Sequence, residues 1–420
     1  MKRVDADRTV FHPILAAYLI KDFVDAAGKA RMPEAIESAR DVADKALALA
    51  SPYSHGSLVY WYEPGSGLSE MPRRFYSGLT QAWFVRALSA LQTVADGYSE
   101  QAASFFNSLA VPLQDGGPLL EHDFGWVVEE YPYDPPLYTL NGWLTMLRLL
   151  LEGGESLERL PGFEPFVINN LRAVKRLLPL YDAGFIKNSR YQLTGFTRVR
   201  LVLSKAVGAT VKSFTMTIPS QTPRQGELNA KAGGRWGNYL ERSEGRILQF
   251  NVLQSLISFP VENLFSCELD LHGACTITVF VGDGDYDPLS TGMPTKRWRQ
   301  VAELNVAPGR HEIAVPLPWD DRNLFAYPTN FKKSLKGQGN KTYNSYHFVH
   351  IMDLASLYHC TGEEMFKEYA LRWSEYVAGW PELPFLPAEK FSHAHFDGDK
   401  FFERVESYLT QPVRKLRTLS

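Results

Sequence analysis

"FVINNLRAVKRLLPLYDAGFIKNSRYQLTGFTRVRLVLS", Phe166 to Ser204, changes its hydrophobic period part-way along. In the first half Val167, Leu171, Val174 and Leu178 recur three or four apart, which is one face of a helix. Pro179 stops that run, because it lacks an N–H and disfavours helix in the residue before it. From Thr197 the pattern becomes alternating, with Val199, Leu201 and Leu203 separated by Arg198, Arg200 and Val202, which is the period of a strand. The fold therefore turns on this stretch, helical before it and β after it.

Upstream, helical spacing recurs in "ILAAYLIKDFVDAA", "AIESARDVADKALALA", "GLTQAWFVRALSALQTVA" and "LNGWLTMLRLLL". Loops rich in Gly and Pro, such as "YEPGSGLSEMP" and "EEYPYDPP", join them. Helices in series with long aromatic loops suggest a helical bundle or an α/α toroid. Downstream, "TRVRLVLS", "SFTMTIPS", "RILQFNVLQS", "SCELDLHG", "CTITVFVGDG", "QVAELNVA" and "HEIAVPLP" are short, alternating and separated by turn signals. Seven such runs predict an antiparallel β-sandwich. Helical spacing then resumes in "YHFVHIMDLASLYHC" and "EEMFKEYALRWSEYVAGW". A β-domain thus interrupts a helical one.

The 420 residues are 45% hydrophobic and 22% charged, enough apolar material for substantial cores. At roughly 100–200 residues per domain the length predicts two or three. A net charge of −3 leaves no basic surplus for neutralising a phosphate backbone, which argues against a nucleic-acid partner. A local basic groove for an acidic ligand stays open, with Arg73, Arg74, Lys187 and Arg190 as candidates. The three cysteines Cys267, Cys275 and Cys360 form no CxxC pair and fit a reducing compartment. Lys21 and Asp22 break the apolar run near the start, so neither a signal peptide nor a membrane span is read there and a cytoplasmic location is expected.

Motifs carry the rest. In "EEYPYDPP" the prolines Pro132, Pro135 and Pro136 forbid regular helix and hold a rigid extended loop. Such a loop can pre-organise Glu129, Glu130 and Tyr131, a base and a hydroxyl at one point. The plainer alternative is a pair of solvated acids with tyrosines capping the helices. "YHFVH" sets Tyr346, His347 and His350 on one helix, and the i,i+3 histidines have no third ligand at matching spacing. His393 and His395 of "SHAHFDGD" are an equally weak metal signal. "GDGDYDP", with Asp283, Asp285 and Asp287, lacks the bidentate Glu of a calcium loop and reads as a solvated turn. Cys267 and Cys275, on successive strands, read as small buried side chains. GxGxxG, Walker A, GxSxG and HExxH are all absent.

In order, "EEYPYDPPLYTLNGW", "LLPLYDAG" and "YHFVHIMDLASLY" resemble the C-terminal catalytic domain of the D-glucuronyl C5-epimerases. "RRFYSGLTQAWFVRALSAL", with Tyr76 and Ser77, resembles that family's helix start. The resemblance implies an α/α helical catalytic domain whose cleft takes an acidic polysaccharide, converting D-glucuronate to L-iduronate. It implies catalytic roles for Glu130 and Tyr131 of EEYP and for Tyr346 of YHxxH, and a site role for Asn141 of LNG. No cofactor is required for that route. A homodimer is implied by the resemblance alone. Animal members carry a tyrosine and an arginine three apart after LPLYD; in "LPLYDAGFIKNSRYQL" no tyrosine precedes an arginine at that spacing, and a two-residue deletion would put Lys187 where the tyrosine was and align Arg190 with the arginine, with Tyr191 following. Arg190 is accordingly the candidate clamp on the uronate carboxylate. Arg74, Tyr76, Lys187 and His347 complete the expected substrate-binding set.

The chemistry suits these residue types. Removing the C5 proton, α to a carboxylate, puts charge on that carboxylate, so a cation or donors must face it. Two proton-transfer groups are needed, one on each face of the ring. Tyr131 and Tyr346 are read as these two, with Glu130 tuning or relaying the proton, and Arg190 neutralising the carboxylate bidentately. The sequence thus predicts a mainly α chain with inserted β: an α/α toroid (incomplete barrel), residues 1–194 and 328–420, interrupted by a β-sandwich at 195–327. Trp236, Tyr239 and Trp298 of the sandwich are candidates for stacking on sugar rings. Two other readings remain open: a uronate lyase, which shares the first step and then expels the C4 substituent, and a non-catalytic glycan-binding protein.

Overall fold

The computed structural model describes residues 2–5, 8–29, 32–62, 74–226, 228, 239–242, 247–283, 297–318, 345–383 and 398–414. The chain forms two compact units. One comprises Met1–Pro179, Phe348–Ser374 and Phe396–Ser420, and the other Leu180–His347 and Glu375–His395.

The first unit is built of helices α1 (Pro13–Lys29), α2 (Glu34–Leu47), α3 (Gly78–Gln92), α4 (Ser99–Leu109), α5 (Leu140–Glu152), α6 (Glu155–Glu158) and α7 (Phe163–Leu177). To these it adds most of α8 (Ser345–Thr361) and α9 (Glu364–Ala378), and all of α10 (Gly398–Thr410). Three two-stranded hairpins accompany them: β1 (Lys2–Asp5) with β2 (Arg8–Phe11), β3 (Ser51–Tyr53) with β4 (Ser57–Val59), and β5 (Leu119–His122) with β6 (Gly125–Val128). Every helix read from the apolar spacing is present. The spacing did not disclose α4, α6, α10 or the hairpins. α3 is buried on nearly every face and packs against α1, α4 and α5, the behaviour of a central helix that is apolar all round. Tyr60, Phe84 and Phe105 stack at centroid distances of 4.5–5.3 Å, and Trp143 of α5 donates Nε1–H to Asn170 Oδ1 of α7 at 2.8 Å. Burying one such aromatic contributes about 2–3 kcal/mol.

The second unit is dominated by a β-sandwich. It opens with the two-residue strands β7 (Asp182–Ala183) and β8 (Asn188–Ser189), paired antiparallel. Then come β9 (Thr194–Leu203), β10 (Ala209–Thr217), β11 (Arg224–Gln225), β12 (Tyr239–Arg242), β13 (Ile247–Ser255), β14 (Asn263–Leu271), β15 (Cys275–Asp283), β16 (Arg297–Val306) and β17 (Gly309–Leu317). One antiparallel sheet runs β12-β13-β9-β15-β16 and the other β11-β10-β14-β17. All seven strand runs expected from alternation are among them. Val199 and Leu201 of β9, Phe250 of β13, Phe214 of β10 and Phe265 of β14 share one core, with Phe214 and Phe250 5.1 Å apart across the two sheets. Strict alternation on β14 puts Phe265, Cys267 and Leu269 inward, as a one-residue register slip would reverse. Cys267 and Cys275 are buried free thiols on strands of opposite sheets.

Among the described residues no helix is long and apolar enough to cross a membrane.

Candidate functional site

The β5–β6 hairpin delivers the chain to Glu129, whose N–H donates to Pro118 O at 2.8 Å. Prolines keep residues 132–136 out of helix, and Tyr131 O accepts from Tyr133 N at 2.8 Å in a tight turn. Tyr138 then adopts φ 56°, the left-handed region that non-glycine residues enter at a cost. Its compensation is visible. Glu129, 1% exposed, accepts from Tyr138 N at 2.5 Å on Oε1 and from Thr139 N at 3.5 Å on Oε2. Thr139 precedes α5 and makes no side-chain cap of its own, so the carboxylate satisfies two amides at that helix start. Burial first of all, with the Glu130 charge adding to it, lifts the Glu129 carboxyl to about 7 against the pull of those amides. Neither acid of EEYP is a freely solvated side chain, since Glu129 is buried and Glu130 is half-buried.

Glu130 lies over the first turn of α5. A Cβ on Gly142 would fall 2.7 Å from Glu130 Cβ and 2.9 Å from its Oε2, so the LNG motif needs glycine where the acid packs. A second helix start meets the same dipeptide: Gly78, first residue of α3, donates its N–H to Glu130 O at 2.9 Å, while Ser77 caps that helix through Thr80 N. The positive ends of α3 and α5 therefore converge on Glu129–Glu130. The Tyr131 phenol lies beside the Glu130 carboxylate. Burial, then the Glu130 charge, raise its pKa well above the ordinary tyrosine value, which keeps the phenol protonated. Its ring meets Phe75 edge-on at 5.7 Å. Tyr62, bonded to Thr80 Oγ1 at 3.0 Å, is pushed up to about 12 chiefly by burial, and Tyr18 is raised in the same direction by burial and by Glu130. One carboxylate thus sits in a group of neutral phenols. Asn141 is 8% exposed, and its Oδ1 has no hydrogen-bond partner among the described residues.

Further along α5 lies a buried network that the motif reading did not extract. Asp353 of α8 accepts from Arg148 Nε and from Thr145 Oγ1, both at 2.6 Å. Glu152 takes Arg148 NH1 at 3.2 Å, Ser356 Oγ at 2.9 Å and Tyr408 OH at 3.3 Å. Burial works against the Arg148 charge, but Asp353 and Glu152 outweigh it and hold the guanidinium above its usual range. Thr145, Arg148 and Glu152 stand at i, i+3 and i+7 on an otherwise apolar helix, and that spacing was the available signal. These bonds tie α5, α8 and α10 of the first unit together.

The remaining expected residues divide by unit. In the first, Tyr76 is wholly buried and donates its hydroxyl to Ser108 O at 2.8 Å, a packing position with no exposed surface for a ligand. Arg74 is exposed, with its guanidinium 4.5 Å over Trp61. In the second unit the YH motif and the Arg190 segment come together. Tyr346 lies 4.9 Å from the Tyr191 ring, and His347 Nδ1 accepts from Ser189 N at 3.1 Å and pairs with Ser189 Oγ at 2.8 Å. The neighbours of Arg190 on both sides are therefore docked on residues 346 and 347. Arg190 itself is 5% exposed and 5.7 Å over Phe185. His347 is fully buried against Trp380, so it holds the Arg190 segment rather than offering a ligand contact of its own. Lys187 has φ 48° and pairs with Glu382 at 3.5 Å. The Arg200 guanidinium covers the Trp298 ring at 3.7 Å. Arg73, Trp236, Asp285, Asp287, His393, His395 and the side chains of Tyr239 and Asp283 lie outside the described residues. Among the described residues no three His, Cys, Asp or Glu side chains gather as a metal site.

No curated protein matches the chain. Residues 57–205 match the family model for the D-glucuronyl C5-epimerase C-terminus. That span contains Arg74, Tyr76, Glu130, Tyr131, Asn141, Lys187 and Arg190, while Tyr346 and His347 fall beyond it. Over the segment that builds the Glu129–Tyr131 loop and the start of α5, the chain is similar to the C-terminus of an epimerase family that acts on glucuronyl residues.

Proposed function

We propose that the protein epimerises a uronate residue of an acidic glycan at C5, taking D-glucuronate to L-iduronate. The observation that carries this is the Tyr131 phenol set beside the half-buried Glu130 carboxylate, inside the span that matches the epimerase family. In this reading Tyr131 O takes the C5 proton while its own proton passes to Glu130. The C5–H electron pair moves into the uronate carboxylate, giving an enediolate. Tyr346 then gives its phenolic proton to C5 from the opposite face. Solvent reprotonates the Tyr346 oxygen and takes the proton from Glu130, so the cycle closes without a redox partner. Arg190 meets the charge on the carboxylate, and Asn141 Oδ1 accepts from a sugar hydroxyl. The parts given to Tyr346, Arg190 and Asn141 rest on the motif resemblance.

The finer reading includes an α/α toroid for the helical part, division at 1–194, 195–327 and 328–420, a cytoplasmic location and a homodimer. Heparosan is the first polymer to try. The test is incubation with heparosan and other glucuronate polymers in deuterated water, read by NMR at C5. Deuterium should enter C5 with the chain intact, and Tyr131→Phe should lower the rate by about 10²–10⁴-fold. An unsaturated uronate with chain shortening would mean a lyase, and binding without exchange a glycan-binding protein. Either result overturns the proposal.

A further inference from the structure

We propose that Glu129 is a positioning residue: a clasp, made by its carboxylate on the Tyr138 and Thr139 amides, that holds the start of α5 beneath Glu130. The chain reaches α5 through a left-handed Tyr138, a conformation that must be held by its surroundings. The Tyr138 N–H bond at 2.5 Å and the Thr139 N–H bond at 3.5 Å are what the fold supplies there. Three residues beyond Thr139 is Gly142, the surface on which Glu130 rests. Loosening the clasp therefore moves the floor under Glu130, with no contact between Glu129 and substrate required.

The clasp is titratable. An ionised carboxylate offers acceptors to both amides. A protonated one keeps an acceptor for Tyr138 but turns the other oxygen into a donor facing the Thr139 N–H, so the weaker arm is lost. The groups facing Glu129 are the Glu130 carboxylate, the Leu137, Tyr138 and Thr139 amides and the Tyr138 phenol, and the phenol in turn meets His122 Nε2 at 3.3 Å. Only Glu130 among them is acidic, and its charge favours the protonated clasp. With the Glu129 carboxyl near 7, the open and closed forms exchange around neutral pH. Ionised Glu129 also places a negative charge beside Glu130, which makes Glu130 a better acceptor for the Tyr131 proton. Closing the clasp and activating the base thus occur together.

Glu129→Gln imitates the protonated clasp at every pH, since its amide keeps one acceptor and presents donors in place of the other. Two readouts separate this proposal from the epimerase reading on which its rate effect rests. In amide NMR of the wild type, the Tyr138 and Thr139 N–H resonances should shift together with a midpoint near pH 7, and that titration should vanish in Glu129→Gln. In deuterium uptake at C5, the wild-type rate should rise about tenfold through the same midpoint, the size of effect expected when a catalytic group is loosened from its place, and the variant should stay at the low plateau. Amides that do not titrate, or a variant that keeps the wild-type pH profile, overturn the clasp. A wild type with no uptake at any pH sinks the epimerase reading alone, and the amide titration still decides the clasp.

Discussion

Gly142→Ala is the substitution for which the structure gives the sharpest expectation, because it should separate stability from activity. Gly142 lies in the first turn of α5 with ordinary helical backbone, so alanine meets no backbone strain there. Helix propensity alone would favour alanine by about 1 kcal/mol. Against that gain, the new methyl would lie 2.7 Å from Glu130 Cβ, 2.9 Å from Oε2 and 3.1 Å from Cγ. Ordinary carbon contacts begin near ~3.5 Å, so Glu130 must retreat by nearly an ångström. Turning the carboxylate toward solvent relieves Oε2 and Cγ but not Cβ, which moves only with the Glu130 backbone, so the overpacking costs about 1–3 kcal/mol. Set against the helix-propensity gain, net stability in urea should fall by about 0–2 kcal/mol and the protein should stay folded. Glu130 would nonetheless leave the Tyr131 hydroxyl, and a misplacement of about 1 Å in a catalytic group costs on the order of 100-fold. The assay is deuterium uptake at C5 beside urea unfolding of the same preparation. Wild-type uptake in a folded Gly142→Ala protein would refute the assignment of Glu130 and its packing on LNG as the heart of the chemistry.

Asp353→Asn should cost about 3 kcal/mol in urea, because the Arg148 guanidinium loses its closest partner while largely buried; Arg148→Met with Asp353→Leu should recover most of that loss. For pH, the Glu129 carboxyl is raised from its usual range to about 7, so the folded state binds the extra proton. Its contribution is complete below the unfolded value of roughly 4.3 and is lost as pH rises through 7, a fall of about 4 kcal/mol measured by urea unfolding across that window. Glu129→Gln should remove this slope. His347→Ala opens a cavity against Trp380 and takes an acceptor from Ser189, and should destabilise by about 2–4 kcal/mol, with His347→Asn keeping the acceptor and part of the stability.

Sequence periodicity disclosed the parts of the fold where one face meets a core. β14 reads inward and outward by turns because its register leaves Phe265, Cys267 and Leu269 no other side to face. The spacing of Leu140, Leu144, Leu147 and Leu151 marks α5 in the same way. Elements whose apolar surface is slight escaped it. α10, "GDKFFERVESYLT", carries as many charges as large apolar residues, and the hairpin β3–β4 is only three residues a side. The candidate site was legible through its motifs but not through their physics. Nothing local marks Glu129 as the buried acid and Glu130 as the half-buried one. That division follows from the left-handed Tyr138, nine residues on, which turns two amides toward the first and not the second. His347 entered the expected substrate-binding set with the YH motif of the family resemblance. Its burial, and the Ser189 amide on its Nδ1, belong to a pairing 158 residues apart that no local pattern encodes.

Two adjacent acids, one buried and one half-buried, need not share a role. Both sit where helix starts converge, α3 on the Glu130 carbonyl and α5 on the Glu129 carboxylate, so the local field favours negative charge at the pair. Burial opposes it, most strongly at Glu129, and the balance leaves that group near 7. A fixed carboxylate would cap α5 at every pH, and a solvated one would titrate without consequence. Glu129 lies between these limits because its desolvation and its two amides nearly offset each other. Glu130 has a different environment, with a glycine beneath it and the Tyr131 hydroxyl against it. On the proposed chemistry, the first residue of the dipeptide "EE" holds geometry and the second exchanges a proton. Transposing the two environments would require moving Gly142, because only a residue without a side chain leaves room for Glu130 where it packs.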